Sequence, residues 1–141
     1  MLVAVASFSS KKSEKFEGGK WSDIQEPPVA GGLSEYAVIF DSGKFYYFGG
    51  FDGRSHLSSI FCLNAGSWTW TNVGSLNSGR IAHGVIAVES MFMIIGGVGT
   101  QPNEACRLNN DKFTCEQKSS NLVEYARTPL LFLMNDNYGN C

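Results

Sequence analysis

Residues 36–76 read YAVIFDSGKFYYFGGFDGRSHLSSIFCLNAGSWTWTNVGSL, and residues 83–122 read HGVIAVESMFMIIGGVGTQPNEACRLNNDKFTCEQKSSNL. The double glycines Gly49-Gly50 and Gly96-Gly97 stand 47 residues apart. Leu63 matches Leu108, Trp68 matches Phe113, and Leu76 matches Leu122, at offsets of 45 or 46. Self-similarity at a fixed spacing is the signature of a repeat architecture and takes precedence over any local assignment.

Each unit predicts four short strands. In the first, Tyr36 to Phe40 is apolar, Asp41-Ser42-Gly43-Lys44 is a hairpin turn, and Phe45 to Phe48 runs back to the two glycines. A loop rich in Asp, Gly, Ser and His leads to a third strand from Ser59 to Leu63. Asn64-Ala65-Gly66-Ser67 then turns the chain into a fourth, from Trp68 to Val73. Turn residues bounding β-branched and aromatic runs are hairpin signals. The second unit repeats the order over Val85 to Val88, Met91 to Ile95, Ala105 to Leu108 and Phe113 to Gln117. No stretch shows the 3.6-residue apolar period of an amphipathic helix. The ends read as partial units. Trp21, Ile24 and Pro27 share the mutual spacing of Trp70, Val73 and Leu76, which makes the N-terminal stretch the last one or two strands of an earlier unit. Pro129 to Met134 matches a first strand.

Four antiparallel strands repeated in this way form a propeller blade. The double glycine closing the second strand, Leu63, Trp70, and the tail Leu76, Arg80, His83 resemble the kelch repeat, and no Gly-His…Trp-Asp signature of a WD40 blade is present. The resemblance covers roughly residues 20 to 134. It departs from the pattern in the second unit, where Cys115 stands at the Trp position and Pro129 where the next His belongs. It implies an all-β, partial β-propeller, divided as 1–34 (end of an incomplete blade), 35–81 and 82–126 (complete blades) and 127–141 (start of a truncated blade). Gly49, Gly50, Trp70, Arg80, His83, Gly96 and Gly97 become structural motif positions. Arg80 and His83 then hold the loop that joins one blade to the next rather than forming a polar site. Trp68 and Trp70 project to one face of their strand, where one of them wedges between blades.

The cysteines follow from register. A four-residue turn at 64–67 sets Leu63 opposite Trp68 and Phe61 opposite Trp70, and the same register sets Cys106 opposite Cys115. Cysteines facing each other across a hairpin fall within reach of disulfide geometry. A Cys106–Cys115 disulfide replacing an aromatic pair is expected, with two buried free thiols as the alternative. Cys62 points to the opposite face, and Cys141 has no identifiable partner. The pair favours an extracellular setting, although the sequence has no Asn-x-Ser/Thr sequon.

Eleven basic against thirteen acidic residues give a net charge of −2, no basis for binding nucleic acid or an anionic membrane. No apolar run approaches the roughly 20 residues that span a bilayer. MLVAVASFSSKK places its charge after a short apolar run, the reverse of a secretory signal, and reads as a strand. Two histidines do not make a mononuclear copper site of the galactose-oxidase type. No Ser-His-Asp order, CxxC, phosphate-binding glycine loop or carboxylate pair is found. The expectation is therefore no enzyme, no cofactor and no metal. The expected role is a module that binds a protein partner through loops such as FDGRSHL (51–57) and VGTQPNE (98–104), with Asp52, Arg54, His56 and Gln101 as contacts. Exposed blade edges also invite self-association. The alternative is a piece of a larger kelch-type protein, whether extracellular module, ubiquitin-ligase substrate adaptor or galactose-oxidase-like enzyme.

Overall fold

The computed structural model describes residues 2–5, 12–98, 102–118 and Pro129, with the backbone alone for 2–5. The expected contact Gln101 and, Pro129 aside, the expected truncated blade at 127–141 lie outside the described residues. Among the described residues, eleven strands form three antiparallel sheets and no helix occurs.

The first sheet holds β1 (Leu2–Val5), β2 (Ser13–Glu17) and β3 (Lys20–Ile24) in that order. This is three strands where the spacing of Trp21, Ile24 and Pro27 suggested one or two. The added strand follows from the Gly18-Gly19 turn, with φ of 58° and 81°, which closes β2 on β3 and leaves the other edge of β2 free for β1. Hairpins of two residues with φ > 0 match the right-handed twist of the strands they join.

The second sheet is a four-stranded meander of β4 (Ala37–Asp41), β5 (Lys44–Phe48), β6 (Ser59–Asn64) and β7 (Trp70–Ser75). The third repeats it with β8 (His83–Val88), β9 (Met91–Gly96), β10 (Asn103–Asn109) and β11 (Lys112–Lys118). Ser42-Gly43 and Asn110-Asp111 are again two-residue turns with positive φ.

The hairpin between β6 and β7 differs from expectation. Leu63 pairs with Trp70, not Trp68, and Phe61 pairs with Asn72. The Asn64 side chain is the cause. Its Oδ1 accepts the amides of Gly66 at 2.8 Å and Ser67 at 3.1 Å, and its backbone carbonyl accepts the Trp68 amide at 2.7 Å. Trp68 adopts φ of 57° and Asn64 N–H reaches Thr69 O at 3.1 Å, so the loop absorbs two further residues before the strand begins. A bulge beside Ile60 and Phe61 then shifts the register again. The cysteine hairpin has the expected register, Cys106 opposite Cys115, and a disulfide joins the two with Cα atoms 4.1 Å apart. Phe61, the counterpart of Cys106, faces an asparagine in its own blade, so the disulfide replaces no aromatic pair.

The sheets stack face to face, and β5 and β6, in the middle of the stack, bury both their faces. Tyr46, Phe48, Ile60 and Cys62 point toward the third sheet, where they meet Phe92, Ile94, Cys106 and Phe113. Phe113 is the hub, its ring 5.2–5.3 Å from those of Tyr46, Phe48 and Phe92. Phe45, Tyr47, Phe61 and Leu63 point the other way and pack with Leu33, Ile24 and Trp70. Strict alternation into two cores is why KFYYF reads as a continuous apolar run. Trp70 bridges to the N-terminal segment: its ring lies 4.8 Å from Tyr47, and its Nε1 donates to the Gln25 carbonyl at 2.7 Å. Trp68 packs on the same side and carries Lys15 Nζ 4.8 Å above its ring.

Candidate interaction face and the clasp behind it

In a four-stranded meander, the loop after the second strand and the linker after the fourth emerge on one side. Here they are knitted together. Gly50 N–H donates to Arg80 O at 2.9 Å, Leu57 N–H to Gly50 O at 2.8 Å, and Arg80 N–H to Leu57 O at 3.1 Å. Gly49 and Gly50 sit at the crossing point with φ of 60° and 109°. A Cβ on Gly49 would come within 2.8 Å of Arg80 O, and one on Gly50 within 2.7 Å of Ser34 O. Only glycine combines this backbone with this approach.

From that anchor projects the loop 51–57. Phe51 exchanges backbone bonds with Ser34, at 2.7 and 3.0 Å, and forms a bridge with His56. Asp52 Oδ1 accepts the amides of Arg54 at 2.8 Å and Ser55 at 2.7 Å, an Asx turn that holds its carboxyl below the usual carboxylate range. Asp52 thus shapes the loop from within. Arg54 and His56 are both exposed, on a backbone fixed at both ends.

Behind the face lies a buried polar clasp between neighbouring blades. Arg80, in the linker 76–82, is fully buried. Its Nη2 donates to Glu104 Oε1 at 2.7 Å and Pro102 O at 2.8 Å, and its Nη1 to Gly96 O at 3.2 Å. Glu104 is fully buried as well, and its Oε2 accepts Asn77 N–H at 2.8 Å and Asn77 Nδ2 at 2.9 Å. Burial pulls the Arg80 guanidinium below its ordinary range, opposed by the Glu104 charge. His83 places Nε2 2.9 Å from Phe48 O, so Nε2 carries the proton, while Nδ1 is buried with no partner. Burial first, and the Arg80 charge second, lower the His83 pKa to about 4.

Arg80 thus ties the linker to Gly96, Pro102 and Glu104 of the following blade, and His83 ties the start of β8 to Phe48 of the preceding one. The sequence reading missed Glu104 and Asn77. Glu104 alternates in phase with Cys106 and Leu108, and an acidic residue on the buried face of a strand was the available signal.

The Glu104 carboxylate and the sulfurs of Cys106 and Cys115 lie within 4.8 Å of one another. This could pass for a metal-ligand set, but the sulfurs are bonded to each other and the carboxylate accepts from Arg80 and Asn77. The disulfide closes a short hairpin, its ends nine positions apart in sequence, and loop-closure entropy assigns it about 2–3 kcal/mol. Denaturant titration with and without a phosphine reductant is expected to show a loss of that order. A midpoint insensitive to reductant would contradict it. Cys62 is a free, buried thiol whose pKa is raised by burial.

Comparison with known proteins bears on the whole arrangement. A family model described as the kelch motif matches residues 32–77. The Rho GTPase-activating protein gacHH of Dictyostelium discoideum is 32% identical over 95 residues, covering 64% of this chain and 6% of that protein. The chain thus spans a small fraction of that relative's length.

Proposed function

We propose that this chain, whose residues 32–77 match the kelch motif, is a protein-interaction module whose contacts lie on the loop face around residues 51–57. The observation that carries this reading is the construction of that loop. Asp52 and the Phe51 bridges fix its backbone, and Arg54 and His56 stand exposed upon it. Side chains on a pre-ordered loop bind with little ordering cost.

The module acts without catalysis. The buried charges nearest the face are consumed in the clasp, and the exposed loop presents no nucleophile paired with a base. Its partner is a protein rather than nucleic acid or membrane, in keeping with the net charge of −2. The disulfide suits an oxidising, extracellular setting. The chain also self-associates through exposed apolar surface, where Trp21 is 50% and Phe40 54% accessible.

The test is the double variant Arg54→Ala/His56→Ala, assayed against a partner isolated on the unmodified chain. Affinity is expected to fall about tenfold or more, with a thermal midpoint unchanged because both side chains are on the surface. Unchanged affinity would remove this loop from the proposal.

A further inference from the structure

Glu104 and Cys106 stand two residues apart on β10 and so share a face, and Cys115 of β11 is the direct partner of Cys106. Their carboxylate and sulfur atoms lie within 4.8 Å of one another. Glu104 and Cys106 are fully buried, and Cys115 is half-buried. In the oxidised chain the sulfur–sulfur bond uses up the two sulfurs. Reduction returns them as donors. The carboxylate is not used up either. It offers about four lone-pair sites, and hydrogen bonds reach it from Arg80 Nη2, Asn77 N–H and Asn77 Nδ2. Such bonds are what a metal-ligating carboxylate ordinarily carries, because they fix its orientation.

Charge selects the occupant. In the disulfide form the buried Glu104 and Arg80 cancel each other. Two thiolates beside that pair would leave two negative charges uncompensated, and a divalent cation restores neutrality. Zinc accepts thiolate and carboxylate together and tolerates three protein ligands with a fourth position open. Zn–S bonds of about 2.3 Å and Zn–O bonds of about 2.1 Å put tetrahedral ligand atoms roughly 3.6–3.8 Å apart. The present spread accommodates that spacing once the sulfurs part. The solvent side of the site is Asn77, an exposed side chain whose Nδ2 spans Glu104 Oε2 at 2.9 Å and Cys115 O at 3.1 Å.

We propose that the reduced chain binds zinc through Glu104, Cys106 and Cys115, so that disulfide and metal are alternative closures of one hairpin. A dithiol reductant gives two electrons and two protons to the Cys106 and Cys115 sulfurs, their bond breaks, and the reductant leaves as its own disulfide. Zinc then displaces both thiol protons to solvent and forms two Zn–S bonds. Arg80 and the Asn77 amide remain on the carboxylate as its orienting partners. This site is independent of loop binding, which the Arg54/His56 variant tests separately.

In the full chain carrying Cys62→Ala and Cys141→Ser, the hairpin cysteines are the only ones left. That chain is reduced with a dithiol, freed of it under anaerobic conditions, and titrated with Co2+ as the spectroscopic probe. Thiolate-to-cobalt absorption saturating at one ion per chain is expected, absent from the oxidised chain and displaced by zinc. Glu104→Gln, which keeps the side-chain shape, should weaken cobalt binding by more than the roughly tenfold that loss of an outer-shell partner costs. Zinc should also raise the urea midpoint of the reduced chain in proportion to the logarithm of its concentration. Should Glu104→Gln fail to fold, zinc-edge X-ray absorption of the chain with Glu104 intact decides, with two sulfurs and lighter donors expected. Equal binding by the oxidised chain, undiminished affinity in Glu104→Gln, a sulfur-only shell, or a midpoint that zinc leaves unmoved or lowers would each overturn the proposal.

Discussion

Replacing Glu104 with alanine is expected to lower unfolding free energy by about 3–5 kcal/mol, the cost of leaving a buried charge without its partner. Arg80 and Glu104 are both fully buried, so neither charge can turn to water. With Glu104 gone, the Arg80 guanidinium keeps only the carbonyls of Gly96 and Pro102, and the Asn77 amide and side chain lose their acceptor. The damage crosses a blade boundary, since Asn77 and Arg80 belong to the linker and Glu104 to β10. Glu104→Gln retains the shape and one acceptor and should lose less. Urea titration followed by tryptophan fluorescence measures both variants, and a loss below about 1 kcal/mol for alanine, the level of an exposed pair, would show that the clasp is not the joint described.

Acidification should release a second buried group. His83 has a folded pKa of about 4 against an ordinary 6.5. The unfolded chain therefore binds the proton first, and stability rises with pH through that interval. The His83 contribution is complete above about pH 6.5 and is lost as pH falls toward 4, amounting to roughly 3 kcal/mol at 1.36 kcal/mol per pKa unit. The cause is geometric: Nδ1 would take the proton in a buried site without an acceptor, close to the Arg80 charge. His83→Gln lowers stability at neutral pH and flattens the pH dependence across this window. Parallel slopes for the two proteins between pH 6.5 and 4 would contradict the assignment.

Much of this architecture is legible in the residues, because turn chemistry and alternation are local. Ser42-Gly43 and Asn110-Asp111 occupy turns that only a few residue types enter, and so set the registers of their hairpins. That is why the Cys106–Cys115 pairing could be read from spacing. The β6–β7 register could not, because one side chain, Asn64, holds a longer loop than the turn residues alone suggest. Asp52 stood out as a contact, yet its Oδ1 is turned inward to the loop's own amides. Glu104 escaped notice because a buried carboxylate is recognisable only beside its partner, and Arg80 lies 24 residues away across a blade boundary.

A partner docked on the loop face would screen its backbone amides from solvent, which amide hydrogen exchange reads with and without a protein partner isolated on the unmodified chain. Slowed exchange in residues 51–57 and the adjoining linker 76–82 is the predicted result. Protection confined to the blade faces of β3 and β11, with 51–57 exchanging as freely as before, would contradict it.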